Sequence, residues 1–189
     1  SVYLFNVGSS SGTVDEAVWR WQPTQSNTKF GHAILPIGDI DSDGFTEVLV
    51  GAPEYKLNDS YRGAVFLLDN DQVGVTNAPE DGNYIIGDGL GWSPRFGTSM
   101  ALISDADGDG ISEALISLPY QDYSTGSAYL FKVTDFLDSN ITMEDANLFV
   151  GEFQGQRAGV RLCGLEDFNG DGYSDFLIGS EEIYQSTTE

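Results

Sequence analysis

The chain has 189 residues, 40 % of them apolar, and a formal net charge of -22 with only eight basic residues. That apolar content supports a packed core and excludes global disorder, while the scarcity of Lys and Arg excludes a footprint for nucleic acid or an anionic membrane surface. No stretch approaches 18 consecutive apolar residues, so no membrane-spanning helix is expected. The opening "SVYLFNVGSS" has neither the basic region nor the cleavage site of a signal peptide, features that a mature or excised chain would also lack.

Taken in chain order, the apolar runs are short, rich in β-branched and aromatic residues, and bounded by Gly, Pro, Asn and Asp, which reads as strands. They begin with "SVYLF" at 1–5 and "AVWRW" at 17–21, followed by runs near 31–38 and 46–51, "AVFLL" at 64–68 and "NYIIG" at 83–87. Further runs lie near 97–104 and 112–117, then "SAYLF" at 127–131, "NLFVG" at 147–151, and runs near 159–166 and 174–179. Helix-period segments are scarce; "DFLDSN" at 135–140 forms one turn at most. Cys163, the only cysteine, permits no intrachain disulfide, disfavours a Cys-based zinc site, and reads as a small buried hydrophobe. His32, the only histidine, reads as structural.

The runs repeat. Residues 30–53 (FGHAILPIGDIDSDGFTEVLVGAP), 96–119 (FGTSMALISDADGDGISEALISLP) and 158–181 (AGVRLCGLEDFNGDGYSDFLIGSE) align without a gap. The "VYLF" element recurs out of phase at steps of 63. Four strands per period is the sequence mark of a propeller blade. The expected fold is all-β, with three equivalents of a four-stranded antiparallel propeller blade. The expected layout is third and fourth strands of a split blade in 1–29, whole blades in 30–95 and 96–157, and first and second strands of a split blade in 158–189.

Each aligned unit holds one acidic loop. By loop position, Asp39, Asp41 and Asp43 occupy 1, 3 and 5, with Gly44 at 6, Phe45 at 7 and Glu47 at 9. The second copy places Asp105, Asp107, Asp109, Ile111 and Glu113 at the ligand positions, and the third Asp167, Asn169, Asp171, Tyr173 and Asp175. Crowded carboxylates repel unless a cation cancels them. Alternate side chains and the carbonyl at position 7 give a hard, all-oxygen donor set suited to Ca²⁺, so three calcium sites are expected. An EF-hand would need Glu at position 12, where this chain has Val50, Ile116 and Ile178. The loops are therefore read as calcium hairpins between strands, with position 7 free to carry any side chain. The third, with Asn169 in place of an aspartate, is expected to bind most weakly.

These residues resemble the FG-GAP repeats of the integrin alpha-subunit β-propeller. Phe30-Gly31 and Phe96-Gly97 match the "FG"; Gly51-Ala52-Pro53 matches the "GAP"; "GAVFLL" and "GSAYLF" match the third strand of a blade. Ala158 departs from the pattern, as do the glutamates that end two loops. The resemblance implies a propeller with calcium hairpins on one face and connecting loops on the other. Family propellers usually have seven blades and animal members carry disulfides, so a chain with three blade equivalents and none points to a bacterial-type relative or a fragment.

The function expected from this is a calcium-stabilised, non-enzymatic module for adhesion or protein–protein interaction, extracellular or at the cell surface. Its binding face would lie opposite calcium, where Tyr55, Tyr61, Tyr120, Tyr123 and Tyr184 either meet a partner or cap blade ends. The alternatives are a carbohydrate-binding or hydrolytic propeller using Trp19, Trp21 or Trp92, or an accessory segment of a larger extracellular enzyme. The sequons at Asn58 and Asn140 matter only in a glycosylating host. The split blades are expected to be completed by head-to-tail pairing of two copies into a six-bladed ring, or by further blades of a longer chain.

Overall fold

The computed structural model describes residues 1–5, 12–69, 75–78, 84–88 and 93–181, with the backbone alone for 75–78. Among these the short apolar runs form fifteen strands. In chain order they are β1 (Val2–Leu4), β2 (Trp19–Pro23), β3 (Ile34–Gly38), β4 (Glu47–Ala52), β5 (Lys56–Leu57), β6 (Ser60–Tyr61), β7 (Ala64–Leu68) and β8 (Val75–Ala78). Then follow β9 (Tyr84–Ile86), β10 (Met100–Ile103), β11 (Glu113–Leu118), β12 (Ser127–Lys132), β13 (Asn147–Val150), β14 (Arg161–Gly164) and β15 (Phe176–Gly179). Helical structure is limited to short turns, including a 3₁₀ turn at Val133–Leu137 where one turn was expected.

Two sheets are complete antiparallel four-stranded units, β3-β4-β7-β9 and β10-β11-β12-β13, in the strand order of propeller blades. They stand between a sheet β1-β2-β8 and a hairpin β14-β15. Two features escaped the sequence. The loop after β4 folds back as the hairpin β5–β6, and β8 lies parallel to β2, Arg20 opposite Val75 through Pro23 opposite Ala78.

The core lies between sheets, and strict alternation builds it. Along β4, Leu49 joins a cluster with Ile116, Tyr129 and Phe131 of the following sheet, while Val50 and Ala52 join one with Trp21 of the preceding sheet. Along β12, Tyr129 and Phe131 face back, whereas Ala128 and Leu130 face forward towards Leu162, Phe176 and Ile178. A central strand buried on both faces reads as a continuous apolar run, and each such side chain contributes roughly 1.5–3 kcal/mol on full burial. Trp21 is buried in this packing and meets Trp19 edge-to-face at 5.7 Å, so these two tryptophans pack as expected of an outer strand. Trp92 and Tyr184 lie outside the described residues.

The sheets are stitched at one end by glycines. A Cβ on Gly51 would sit 2.2 Å from the carbonyl oxygen of Gly97 in the next sheet, so that approach tolerates no side chain. Between sheets, Phe96 N–H donates to the Arg62 carbonyl at 3.1 Å and Ala158 N–H to the Thr125 carbonyl at 3.0 Å, while within each sheet the N–H of Gly31, Gly97 and Gly159 donates to the carbonyl of Gly51, Ser117 and Gly179, at 3.0–3.1 Å. One reading is corrected: Cys163 is exposed, not buried. It pairs with Leu177, 57 % exposed. Their aligned counterparts Ala101 and Leu115 are buried against β14-β15, and no described sheet covers that face of β14-β15 itself.

A candidate metal centre in the acidic hairpin loops

Each acidic loop connects the first two strands of a sheet: β3 to β4, β10 to β11, and β14 to β15. The position-6 glycines take φ of +94° (Gly44), +85° (Gly110) and +95° (Gly172), a region costly for any side chain. With the backbone so turned, their N–H groups donate to the first aspartate of each loop: Gly44 to Asp39 Oδ2 at 3.0 Å, Gly110 to Asp105 Oδ2 at 3.0 Å, and Gly172 to Asp167 Oδ2 at 2.9 Å. Position 4 adopts positive φ as well, at Ser42 (+67°), Gly108 (+81°) and Gly170 (+82°), a requirement the sequence reading missed.

The result is convergence. Asp39, Asp41 and Asp43 each bring a carboxylate oxygen within 4.8 Å of the others, and Asp105, Asp107, Asp109 and Glu113 do the same. Among the described residues these are the two acidic groups that gather so closely; the third loop's acids are not among them.

The acid at position 9 has two jobs. One oxygen of Glu47 accepts from Ile40 N–H at 2.7 Å, one of Glu113 from Ala106 N–H at 2.7 Å, and one of Asp175 from Phe168 N–H at 2.8 Å. This clamps position 2 of the loop. The other oxygen of Glu47 and of Glu113 is buried without a hydrogen-bond partner, although the two residues are only 0 % and 2 % exposed. Burial pushes the Glu47 carboxyl up from its ordinary value; the Ile40 N–H pulls it back, and Asp41, Asp69 and Asp43 add to the rise. Glu113 behaves alike, raised first by burial, lowered by the Ala106 N–H, and raised again by Asp107, Asp105 and Asp109. An unpartnered buried carboxylate oxygen is costly. Glu113 stands within the group of converging aspartates, where such an oxygen fits a hard cation; Glu47 lies outside the 4.8 Å group formed by Asp39, Asp41 and Asp43.

The third loop satisfies itself differently. Asn169 Nδ2 donates to Asp171 Oδ2 at 3.0 Å and to Asp175 Oδ1 at 3.4 Å, and Asp175 Oδ2 also accepts from Asn169 N–H at 3.2 Å. Position 7 is not free in every copy. A Cβ on Gly108 would lie 2.5 Å from Tyr173 Cε1, so the tyrosine of the third loop packs on the second, and Ser174 N–H donates to the Asp105 carbonyl at 2.9 Å. Ile111 packs against the core between the two complete sheets, while Phe45 is exposed.

One basic residue stands among these acids. Lys132 ends β12 opposite Glu113. Its ammonium hydrogen-bonds Asp109 Oδ2 and lies 3.2 Å from Asp107 Oδ2. These bonds, Asp109 first, hold the ammonium above its ordinary value, and Lys132 in turn depresses the Asp109 carboxyl.

Residues 30–68, which contain the first loop, match the family model for the FG-GAP repeat. The chain carries an FG-GAP repeat. It is also similar to integrin alpha subunits over most of its length. Integrin alpha-PS3 of Drosophila melanogaster is 28 % identical over 160 residues, covering 82 % of this chain and 14 % of the relative. Integrin alpha-X of Homo sapiens is 29 % identical over 168 residues, covering 83 % and 13 %. Integrin alpha-E of Mus musculus is 28 % identical over 197 residues, covering 95 % and 16 %. The chain thus spans only about 14 % of the length of such curated relatives.

At the end of the sheets opposite the acidic loops, basic residues stand among acids, Arg157 meeting Glu181 at 3.3 Å. Lys29, Arg95 and Arg157 each precede one aligned repeat, and all have positive φ. Lys29 Nζ meets Glu54 at 2.8 Å and holds its carboxyl below the ordinary range. The guanidinium groups of Arg95 and Arg157 lie 4.7 and 5.2 Å from the Tyr120 ring centre, and Lys56 lies 4.4 Å from that of Tyr61. Tyr55 packs against Phe66 at 5.4 Å, whereas Tyr123 is 77 % exposed. The tyrosines therefore divide between capping the sheets and facing solvent. The sequon asparagines Asn58 and Asn140 are both exposed, and no described helix is long and apolar enough to cross a membrane.

Proposed function

We propose that the chain is a calcium-stabilised, non-enzymatic propeller segment for adhesion or protein–protein interaction, acting outside the cell or at its surface. The observation that carries the calcium reading is the unpartnered buried oxygen of Glu113 among Asp105, Asp107 and Asp109; the first loop adds three converging aspartates and, in Glu47, a second unpartnered buried oxygen. Asp39, Asp41, Asp43 and Glu47 would hold the first ion, with the carbonyl of Phe45. Asp105, Asp107, Asp109, Glu113 and the Ile111 carbonyl would hold the second. Asp167, Asn169, Asp171, Asp175 and the Tyr173 carbonyl would hold the third. The ion's work here is structural: it cancels repulsion within a hairpin and fixes the loop.

The layout of 1–29, 30–95, 96–157 and 158–189 as split blade, blade, blade and split blade is part of this reading. So is completion of the split blades by strand addition. The free edges of β1 and β15 have the strand positions of neighbours within one blade, and the exposed Cys163–Leu177 face calls for a cover. A second copy or further blades of a longer chain would supply both; light scattering separates the two, a compact monomer at high concentration excluding the dimer. The partner face is the end carrying Arg95, Tyr120, Arg157 and Tyr123, since arginine and tyrosine are enriched where interfaces form. Similarity to integrin alpha subunits supports the adhesion reading. The alternative is a carbohydrate-binding propeller or the accessory segment of an enzyme.

Calcium titration by calorimetry tests the assignment. It should give three sites in the weak range of extracellular modules, about 10⁻⁴–10⁻³ M. The variants Asp43→Ala, Asp109→Ala and Asp171→Ala should each remove one site. A chain that takes up no calcium, or variants that leave the stoichiometry intact, would refute it.

A further inference from the structure

The C-terminal end of each sheet's third strand lies beside position 9 of the acidic loop: Lys132 is the last residue of β12, and Asp69 the first residue after β7. In one sheet the register places Lys132 directly opposite Glu113. In the other, Leu68 pairs with Val48, so Asp69 is the next residue out, beside Glu47, whose carboxyl it pushes up. The same place thus holds opposite charges. Asp69 places a further carboxylate next to Glu47 at the first loop, and its Oδ1 is buried without a partner, as is Glu47 Oε1. Lys132 brings an ammonium onto two carboxylates of the second loop.

We propose that this strand-end residue sets the affinity of the adjacent loop: Lys132 is a tethered cation that competes with calcium at the second loop, and Asp69 strengthens the first. The inference rests on the calcium reading above. Its physical basis is occupancy. A carboxylate oxygen that accepts from an ammonium has that lone pair engaged, and Asp107 and Asp109 are two of the four acids that would ligate the ion. Calcium must displace the ammonium before it gains both. The lysine stem is flexible and side-chain exposure is 37 %, so displacement needs no backbone movement. The displaced ammonium also has somewhere to go. A cleft of about 870 Å³ beside it is lined by Asp135, Asp138 and Asp145 as well as Asp107 and Glu113. Asp135 already accepts from the backbone N–H of Lys132 at 3.1 Å. The second loop therefore stays partly neutralised without calcium, whereas the first has no such substitute and depends on the ion.

The test uses the full chain with the first and third loops disabled by Asp43→Ala and Asp171→Ala, so that calorimetry reads the second loop alone. Lys132→Met should tighten calcium binding about three- to tenfold, the scale of two partly exposed ion pairs. Lys132→Arg, which keeps the charge, should leave the affinity near that of the parent. In the converse chain, with the second and third loops disabled, Asp69→Lys should loosen the first loop by a similar factor. Equal calcium affinity in the Lys132→Met variant and its parent overturns the proposal while leaving the calcium reading intact. Tightening by Lys132→Arg as large as by Lys132→Met also overturns it, because packing rather than charge would then be responsible. If the second loop binds no calcium in any variant, the calcium reading of that loop fails, and the proposal with it.

Discussion

The first and third hairpin loops share acids at positions 1, 5 and 9, yet they handle those acids in opposite ways. In the first, Glu47 is fully buried, one of its oxygens has no partner, and Asp39, Asp41 and Asp43 of the same loop converge on one another. In the third, the amide of Asn169 donates to both Asp171 and Asp175, and Asp175 is partly exposed. One substitution, an amide for a carboxylate at position 3, supplies two donors and removes one charge. The neighbouring sheet supplies the rest of the difference. The first loop belongs to a sheet packed on both faces, while no described sheet covers the far face of β14-β15. A shared motif therefore does not make equal loops: the first leaves a buried carboxylate oxygen without a partner, and the third is already partly satisfied.

The largest expected effect comes from Glu47→Gln, which keeps the shape and removes the buried charge. Without calcium the variant should be more stable than the parent by about 1–2 kcal/mol, because an unpaired buried charge is lost. With calcium the order should reverse, since the ion loses a ligand. Without calcium, Asp175→Asn in the third loop should shift stability by less than about 0.5 kcal/mol, because this acid is partly exposed and already hydrogen-bonded. Chemical denaturation of both variants with and without calcium checks this; equal responses would break the comparison.

Asn169→Asp sharpens it from the other side. It should tighten the third loop for calcium several-fold, because ligand charge is one determinant of affinity, and lower the midpoint of the calcium-free protein. Calorimetry on a chain with only the third loop intact reads the first effect, and an unchanged affinity would show that rigidity rather than charge limits this site.

The smallest effect concerns position 4. Ser42 is held at φ +67° where the other two loops have glycine. Ser42→Gly should stabilise the protein by about 0.5–1 kcal/mol, and Gly170→Ser should cost a similar amount. Thermal melts in calcium would check both signs.

Much of this was legible in the sequence because the repeats compare the chain with itself. Alternation such as Leu49 and Val50 pointing to opposite neighbours is a period-2 pattern, and the loops announce themselves by acids at odd positions around a glycine. What escaped was set by tertiary contact. Glu47 and Glu113 were read as ligands, but the clamp on the position-2 N–H appears only when the turn closes. Tyr173 was read as unconstrained, yet it rests on Gly108 of another repeat. Cys163 reads as buried because its apolar context is that of a two-sided strand, but among the described residues β14-β15 has a covering sheet on one side alone. The contrast between Asp69 and Lys132 was present in the aligned third strands and could have been noticed; it acquired meaning only once the register placed those residues beside the loops.

If calcium holds these hairpins together, the thermal midpoint must depend on the ion. With calcium at about 10 mM, roughly a hundredfold above a Kd of 10⁻⁴ M, each occupied site stabilises by up to about 2.7 kcal/mol. At a Kd of 10⁻³ M the figure is about 1.4 kcal/mol, so three occupied sites in a chain of this size predict a midpoint roughly 10–30 °C higher in calcium than in excess chelator. A midpoint that does not move between the two conditions would contradict the account.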